Sequence, residues 1–229
     1  MQPTYLPWIG FFDLIDQSDI FVFLDSVQFT RRSWQQRNRI KTSQGELMLT
    51  VPVLTKGARD QVIKDARVDF QSGFANDHLK AMRFAYAKSP HFADVFSQLE
   101  KVYAQNFTVL GELNMALIRF FCGYLNLGEK KFLKSSDLKV DGTKVDRLVK
   151  IAQVVGGTLY LSAAGSKDYI DENNLFNGSG VELSYHQYEH PKYRQLHGEF
   201  LPYMSIVDLL FNEGPDSLAI VRQGRGIHA

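Results

Sequence analysis

MQPTYLPWIGFFDLIDQSDIFVFLD, residues 1–25, decides how the rest of the chain is read. Pro3 and Pro7 hold the backbone extended and restrict the residues before them, so the chain opens as a loop. Phe11, Leu14 and Ile15 then recur at helical spacing, and IFVFLD is an apolar run of strand length that ends in a carboxylate, Asp25. Loop, helix and buried strand in that order predict a parallel α/β sheet, in which ligands gather beyond the carboxyl ends of strands. Polar and aromatic groups crowd both sides of this unit. Gln2, Tyr5, Trp8 and Gly10 precede the helix, and Asp25, Gln28, Ser33, Trp34, Arg37 and Asn38 follow the strand. A hydrophobic core does not ask for such residues, but a small-molecule site does.

Further along, GELMLTVPV reads as a second strand closed by Pro52, with TKGARDQ as the loop beyond it. From about residue 76 to 128 the pattern turns helical, which predicts a helical insertion, and Ser89 is a candidate cap for a helix opening at Pro90. LKSSDLKVDGTK reads as a loop with one short strand at most. Asp146 to Val155 is helical, GGTLYLSAAGSKDYIDE is strand then turn, and GVELSYHQYEHP is another strand. Helix, strand, loop, helix, strand at this spacing argues a parallel crossover. The tail predicts a helix stopped by Gly214 and another entered at Pro215. With no Gly/Ser or Pro-rich linker, residues 1–229 read as a single α/β domain. Its expected architecture is a mostly parallel sheet with helices on both faces and the helical insertion.

A chain of 229 residues can bury a sizeable core. Its 26 Lys and Arg nearly balance 25 Asp and Glu, leaving +1, which is not the basic field of a nucleic-acid protein. Cys122 is the single cysteine, so neither an intrachain disulfide nor a thiolate metal cage can form. It reads as a small core hydrophobe, and the compartment as a reducing one. Neither a membrane-spanning apolar run nor a secretory n-region with an apolar h-region is visible. The expected location is the cytoplasm, without nucleic-acid binding or membrane insertion.

Four stretches carry candidate chemistry. The opening loop feeds a helix amino terminus, where free N–H groups and the helix dipole suit phosphate. Tyr5 and Trp8 could there stack a base or a sugar face, or equally plug the core. In SWQQRNRIKT, Arg37 can grip phosphate and Asn38 can orient a hydroxyl, from a place beyond a strand end. Arg31 and Arg32 read as solvated surface. In LSAAGSKDYIDE, the Gly165 and Ser166 amides with Lys167 could cradle a phosphate, with Asp168 or Asp171 capping the next helix. One glycine falls short of a P-loop or a dinucleotide fingerprint. YHQYEHPKYRQLHGEF holds His186, His190 and His197 among tyrosines, Tyr193 included. His190, before Pro191, is the candidate base. A zinc site from the three is disfavoured because Pro191 interrupts the helix such spacing needs, so no metal is assigned. Asp208, on an apolar helix face, needs a partner such as Arg37 or a loop amide.

Taken in order, QPTYLPWIGFFDLI, SWQQRNRIKT, TVPV, LYLSAAGSKDYID, YEHPKYRQ and SIVDLLFNEG closely resemble the WbqC-like protein family over nearly the whole chain. The resemblance implies a role in surface-polysaccharide (O-antigen, lipopolysaccharide) synthesis. There it implies a transferase moving a glycyl or other aminoacyl group onto the amine of a nucleotide-linked deoxyamino sugar. The substrate-binding candidates are then Gln2, Tyr5, Trp8, Gln28, Arg37, Asn38, Gly165, Ser166, Lys167, Tyr169 and Tyr193. His190 and Asp25 are the catalytic candidates, His190 as base and Asp25 orienting the sugar. The expected partners are the sugar nucleotide and an amino-acid donor, activated through ATP and Mg2+ or on a carrier; a homo-oligomer is left open. Relatives usually carry a short apolar strand before the Gln-Pro motif, whereas Met1 directly precedes Gln2 here. Its absence would expose a sheet edge and deprive the Tyr5–Trp8 loop of an anchor.

The opening loop also loosely resembles that of the nucleotidylyltransferases and class I synthetases, which implies a Rossmann-like, nucleotidylyltransferase-like sheet. Their signature carries histidines that this loop lacks, and Phe11 stands where a second is expected. That argues against adenylyl transfer and not against nucleotide binding. Two alternatives stand beside the transferase: an ATP-dependent ligase or nucleotidylyltransferase-like enzyme on the same scaffold, and a noncatalytic sugar-nucleotide-binding module.

Overall fold

Helix α1 (Ile9–Asp16) and strand β1 (Ile20–Phe23) follow the opening loop, as the spacing requires. The structure, a computed structural model, describes residues 1–226 apart from Arg59, Thr143 and Asn173, so Arg59 of the expected loop TKGARDQ lies outside it. Residues Ile9 to Ile15 of α1 are all buried, Asp13 among them, which makes it a core helix rather than a surface amphipath.

The fold is mixed α/β. β1 pairs in parallel with β4 (Lys131–Lys134), Ile20 opposite Lys131 and Phe23 opposite Lys134. β5 (Leu159–Ala163) pairs in parallel with β6 (Glu182–His186) across the short helix α6 (Lys167–Asp171), the crossover the spacing predicts. The third pair is an antiparallel hairpin of β2 (Arg37–Thr42) and β3 (Gly45–Thr50). Among the described residues, the single mostly parallel sheet expected is thus found as three two-stranded sheets, with the two parallel pairs held apart. Arg37 and Asn38 do not lie beyond a strand; they lie inside β2. Its sequence hid the strand, because Asn38 and Lys41 take buried places that a strand usually gives to apolar side chains.

Helices α2 (Phe74–Tyr86), α3 (Phe92–Tyr103) and α4 (Leu110–Tyr124) fill the helical stretch. Ser89 does not cap α3, whose cap position is His91; its hydroxyl instead donates to Asn212 at 3.3 Å. Neither Asp168 nor Asp171 caps α6: Ser166 precedes it, and Asp171, its last residue, accepts from the Tyr185 hydroxyl. α5 (Lys144–Val154), α7 (Ile206–Glu213) and α8 (Ser217–Gln223) complete the set. Gly214 ends α7 at φ 50, where a Cβ would stand 2.3 Å from the His91 ring, so glycine is required there.

One large apolar core joins α1, β1, α2 to α4, α7 and residues of β2 and α8. A smaller one, built on Val145, Val149, Ile170 and Val181, belongs to the α5–β6 unit. β1 turns back along α1 after the short Gln17–Asp19 connection. β6 runs the same way, since His186 at its end meets Asp13 and Tyr188 beyond it meets Trp8. The parallel strands therefore deliver their carboxyl ends to the rim where the opening loop sits. Among the described residues no helix is long and apolar enough to cross a membrane.

Candidate functional site

The opening loop is bolted down from several elements. Tyr5 is wholly buried, its hydroxyl 2.6 Å from His78 Nδ1 and also bonded to the Tyr103 hydroxyl. Burial lowers the His78 pKa to about 4, so the ring is neutral and can accept from Tyr5. Asn38 Nδ2 donates to the carbonyls of Leu6 at 2.7 Å and Tyr5 at 3.3 Å. Asn114 Nδ2 likewise donates to Pro3 at 3.0 Å and Gln35 at 2.7 Å. Leu6 stands at φ 44, a left-handed conformation that costs an ordinary residue energy, and the Asn38 clamp holds it there. Asn38 and Tyr5 thus shape the loop from beneath.

What the loop presents is Trp8. A Cβ on Gly10 would lie 2.3 Å from the Trp8 indole, so glycine is what lets the ring fold over the start of α1. Trp8 meets Tyr188 at 5.5 Å, Tyr203 at 5.4 Å and His190 at 6.1 Å, the last nearly parallel at 16°. His190 also packs against Phe200 and Tyr193. Its Nδ1 lies 2.9 Å from the Pro191 carbonyl, an acceptor only, so Nδ1 carries the proton and Nε2 keeps the lone pair. Nε2 is buried and, among the described residues, has no hydrogen-bond partner. Burial lowers the His190 pKa, which favours the neutral ring.

Tyr193 lies behind this aromatic corner, buried, with its hydroxyl donating to Asp208 at 2.8 Å. Asp208 is not held by Arg37, but a loop amide, the Gln195 side chain, does donate to it. Its partners are Tyr86 at 2.8 Å, Tyr193 and Gln195 at 2.7 Å, with the Lys41 charge nearby. Burial raises the Asp208 pKa against the pull of those groups. Arg39 stacks on the half-exposed Trp34 at 5.5 Å and pairs with Glu46 at 2.9 Å, while Arg37 keeps a buried Nε without a partner among the described residues. Arg31 and Arg32 are exposed.

A second, polar corner forms at the ends of β1 and β4. Asp25, buried, accepts from Ser135 Oγ at 3.0 Å, Ser136 N–H at 2.9 Å and Ser136 Oγ at 2.6 Å. Ser26 Oγ lies 2.6 Å from Ser135 Oγ and accepts from Arg147 Nη2 of α5 at 2.5 Å. Arg147 Nε is buried and, among the described residues, without a partner. Gln35 Nε2 donates to Gln2 Oε1 at 2.8 Å and to the Gln28 carbonyl at 3.4 Å, so Gln2 and Gln28 are neighbours. Exposed Gly165, Lys167 and Tyr169, with half-buried Ser166, form a third patch after β5, where Ser166 Oγ meets Ser162 Oγ at 2.7 Å. The sequence candidates therefore fall into three groups: Trp8 with His190 and Tyr193, Gln2 with Gln28, and residues 165–169. Asp25 joins serines that sequence reading passed over.

Ser26, Ser135, Ser136 and Arg147 were missed, although paired serines just after a strand, in LKSSDL, were the available signal. Asp13 was missed because it looks like an ordinary helix residue. It is wholly buried, 2.8 Å from His186 Nε2 and 2.6 Å from Arg225 Nε. Burial alone would raise its pKa, but bonds from His186, Arg225 and Gln17 outweigh that and hold it below the usual carboxylate value. His197 is elsewhere, its Nε2 on the Ala85 carbonyl at 2.9 Å. Burial pushes the Cys122 thiol to about 12, which fits a packed core residue and not a nucleophile.

An α/β protein with an aromatic, histidine-bearing loop cluster beside its parallel strand ends is the class these features define. The chain belongs to the WbqC-like protein family, whose profile matches residues 2–220. It is 37% identical over 228 residues to the uncharacterized protein Rv1507c of Mycobacterium tuberculosis, covering 97% of each chain. No solved structure matches it.

Proposed function

We propose that this protein is an enzyme of surface-polysaccharide (O-antigen) synthesis, forming an amide between an aminoacyl group and the amine of a nucleotide-linked deoxyamino sugar. The observation that carries the reading is His190: proton fixed on Nδ1, lone pair on a buried Nε2 without a partner, ring stacked on Trp8. A buried acceptor left unpaired costs about 1–3 kcal/mol, a cost that a substrate ammonium can remove. His190 takes the proton as the sugar nitrogen attacks the acyl carbon. The C–N bond forms, and the bond between the acyl carbon and its activating group breaks.

Trp8 offers its face to the sugar or base, and Tyr5, Asn38 and Tyr193 hold the loop and ring in place. Asp25 acts through the serines it orients. Arg37, Lys167, Tyr169 and the Gly165–Ser166 amides are the phosphate candidates, with Gln2 and Gln28 at the sugar. A Rossmann-like sheet, with nucleotide at the strand ends, is the architecture this reading assumes. The acyl group arrives activated, either on a carrier or through ATP and Mg2+.

The test is mass spectrometry of reactions pairing nucleotide-linked amino sugars with glycine, ATP and Mg2+, and with carrier-bound glycine. An amide product that requires His190 supports the reading. Pyrophosphate release with glycine and ATP would move it to a ligase. Tight sugar-nucleotide binding with no product from any donor would sink it in favour of a binding module.

A further inference from the structure

Alternation along β2 sorts its side chains into two sets. Asn38 and Ile40 turn to the buried side, Asn38 beneath the opening loop where it donates to Leu6. Arg37, Arg39 and Lys41 share the opposite face of the hairpin, with Thr50, Met48 and Glu46 directly across from them on β3. Three cations therefore stand in a row with one carboxylate. Lys41 is answered from within: it is buried, and its Nζ donates to Gln195 Oε1 at 3.1 Å and to the Glu199 carbonyl at 2.5 Å. Glu46 goes to Arg39 at 2.9 Å.

The two arginines keep donors to spare. Among the described residues the Arg37 guanidinium has no hydrogen bond or ion pair, and its Nε is buried. Arg39 likewise keeps a buried Nε without a partner there, although its side chain is 25% exposed. A half-buried guanidinium with unanswered donors is unfavourable until an acceptor from outside completes it. The face is also joined to the histidine corner. Arg39 Nη2 donates to the Tyr203 carbonyl at 3.5 Å, and the Tyr203 ring meets His190 at 5.0 Å and Trp8 at 5.4 Å. Tyr203 holds that place at φ 59, a left-handed conformation costly for a tyrosine. Trp34, 51% exposed, flanks the same Arg39 guanidinium, which lies 5.5 Å from its ring centre.

We propose that this face of the hairpin binds a nucleoside diphosphate: Arg37 and Arg39 take the two phosphoryl groups, and the free surface of Trp34 takes the base. Guanidinium forks match phosphoryl oxygens, and an indole stacks any base, so the site selects a nucleoside diphosphate without specifying its base. Arg39 lies between the indole and Tyr203. The order base, diphosphate, sugar along a sugar nucleotide then puts the sugar at the histidine corner and leaves Trp8 for the sugar face. Glu46 is the group that the ligand displaces from Arg39. The choice of ligand rests on the sugar-nucleotide reading above, and it places the diphosphate on β2 rather than on residues 165–169.

The test is titration calorimetry of the whole protein with UDP, dTDP, GDP, CDP and ADP, each without a sugar. At least one should bind. Arg37→Gln and Arg39→Gln should each weaken that binding by about tenfold or more, and Arg37→Lys by less, while Glu46→Gln should tighten it. Binding should quench tryptophan emission in the parent and not in Trp34→Ala. Melting temperatures of the free variants close to the parent's separate these losses from unfolding. Binding unchanged in both arginine variants overturns the proposal and leaves the transferase reading standing, with its phosphates elsewhere. Binding that depends on the hairpin, with no amide product from any donor, upholds the proposal and sinks the transferase. No binding of any of the five diphosphates overturns the proposal.

Discussion

The two corners of the rim answer their buried polar groups in different ways. Around Asp25, three donors satisfy the carboxylate and Ser26 passes the chain on to Arg147, whose Nε is left over among the described residues. Around Trp8, aromatic rings enclose a histidine whose Nε2 has no partner among the described residues. A self-satisfied network sets shape, whereas an unanswered acceptor inside an aromatic wall awaits a donor from outside. Under the function proposed above, the histidine corner is the place for proton transfer and the carboxylate corner the place for rigidity.

The largest expected effect breaks or confirms that assignment. His190→Gln should lower kcat in the amide-forming assay by about 10²–10⁴-fold, with the melting temperature close to the parent's. A loss below tenfold removes His190 as the base. In the parent, burial lowers the His190 pKa, so the acid limb of kcat/KM should lie below the ordinary imidazole value near 6.5.

Asp25→Ala should act on stability first, by about 3 kcal/mol in urea unfolding, because the Ser135 and Ser136 donors lose their acceptor. Asp25→Asn, which keeps an acceptor oxygen, should lose less. If Asp25→Ala melts like the parent but is inactive, the contrast between the corners inverts.

Gly10→Ala sharpens the aromatic side. The added methyl collides with the Trp8 ring, so a destabilisation of about 1–3 kcal/mol and a shift in tryptophan emission are expected. Unchanged emission would mean that Trp8 does not depend on Gly10 for its pose.

The smallest effect concerns acid. The folded Asp13 pKa is held below the unfolded value, so its contribution to stability is present above about pH 4 and is lost as pH falls through the folded pKa. Arg225→Met removes one of its partners and should move the acid-unfolding midpoint upward, read by circular dichroism. An unmoved midpoint assigns the shift to His186 and Gln17 alone.

Much of the secondary structure was legible because apolar spacing carries it. α1, β1, the helical stretch and the β5–β6 crossover all announce themselves through periodicity and punctuation. β2 did not, since Arg37, Asn38, Arg39 and Lys41 put polar chemistry where alternation would normally show. The site was legible in part. Trp8 and His190 stand out as an aromatic beside Pro and Gly and a histidine before Pro. Partnerships between distant residues leave no local trace, so nothing near Asp25 names Ser135, and nothing near Asp208 names Tyr86. Asn38 shows the opposite hazard: a residue chosen for its polarity proves to hold backbone.

Arg222 and Arg225 grip Asp16 and Asp13, 206 and 212 residues earlier in the chain. A latch of that sequence separation closes a long loop of chain, so α1 gains these cationic partners only when distant segments have already met, which makes the pairing a slow, non-local step of folding.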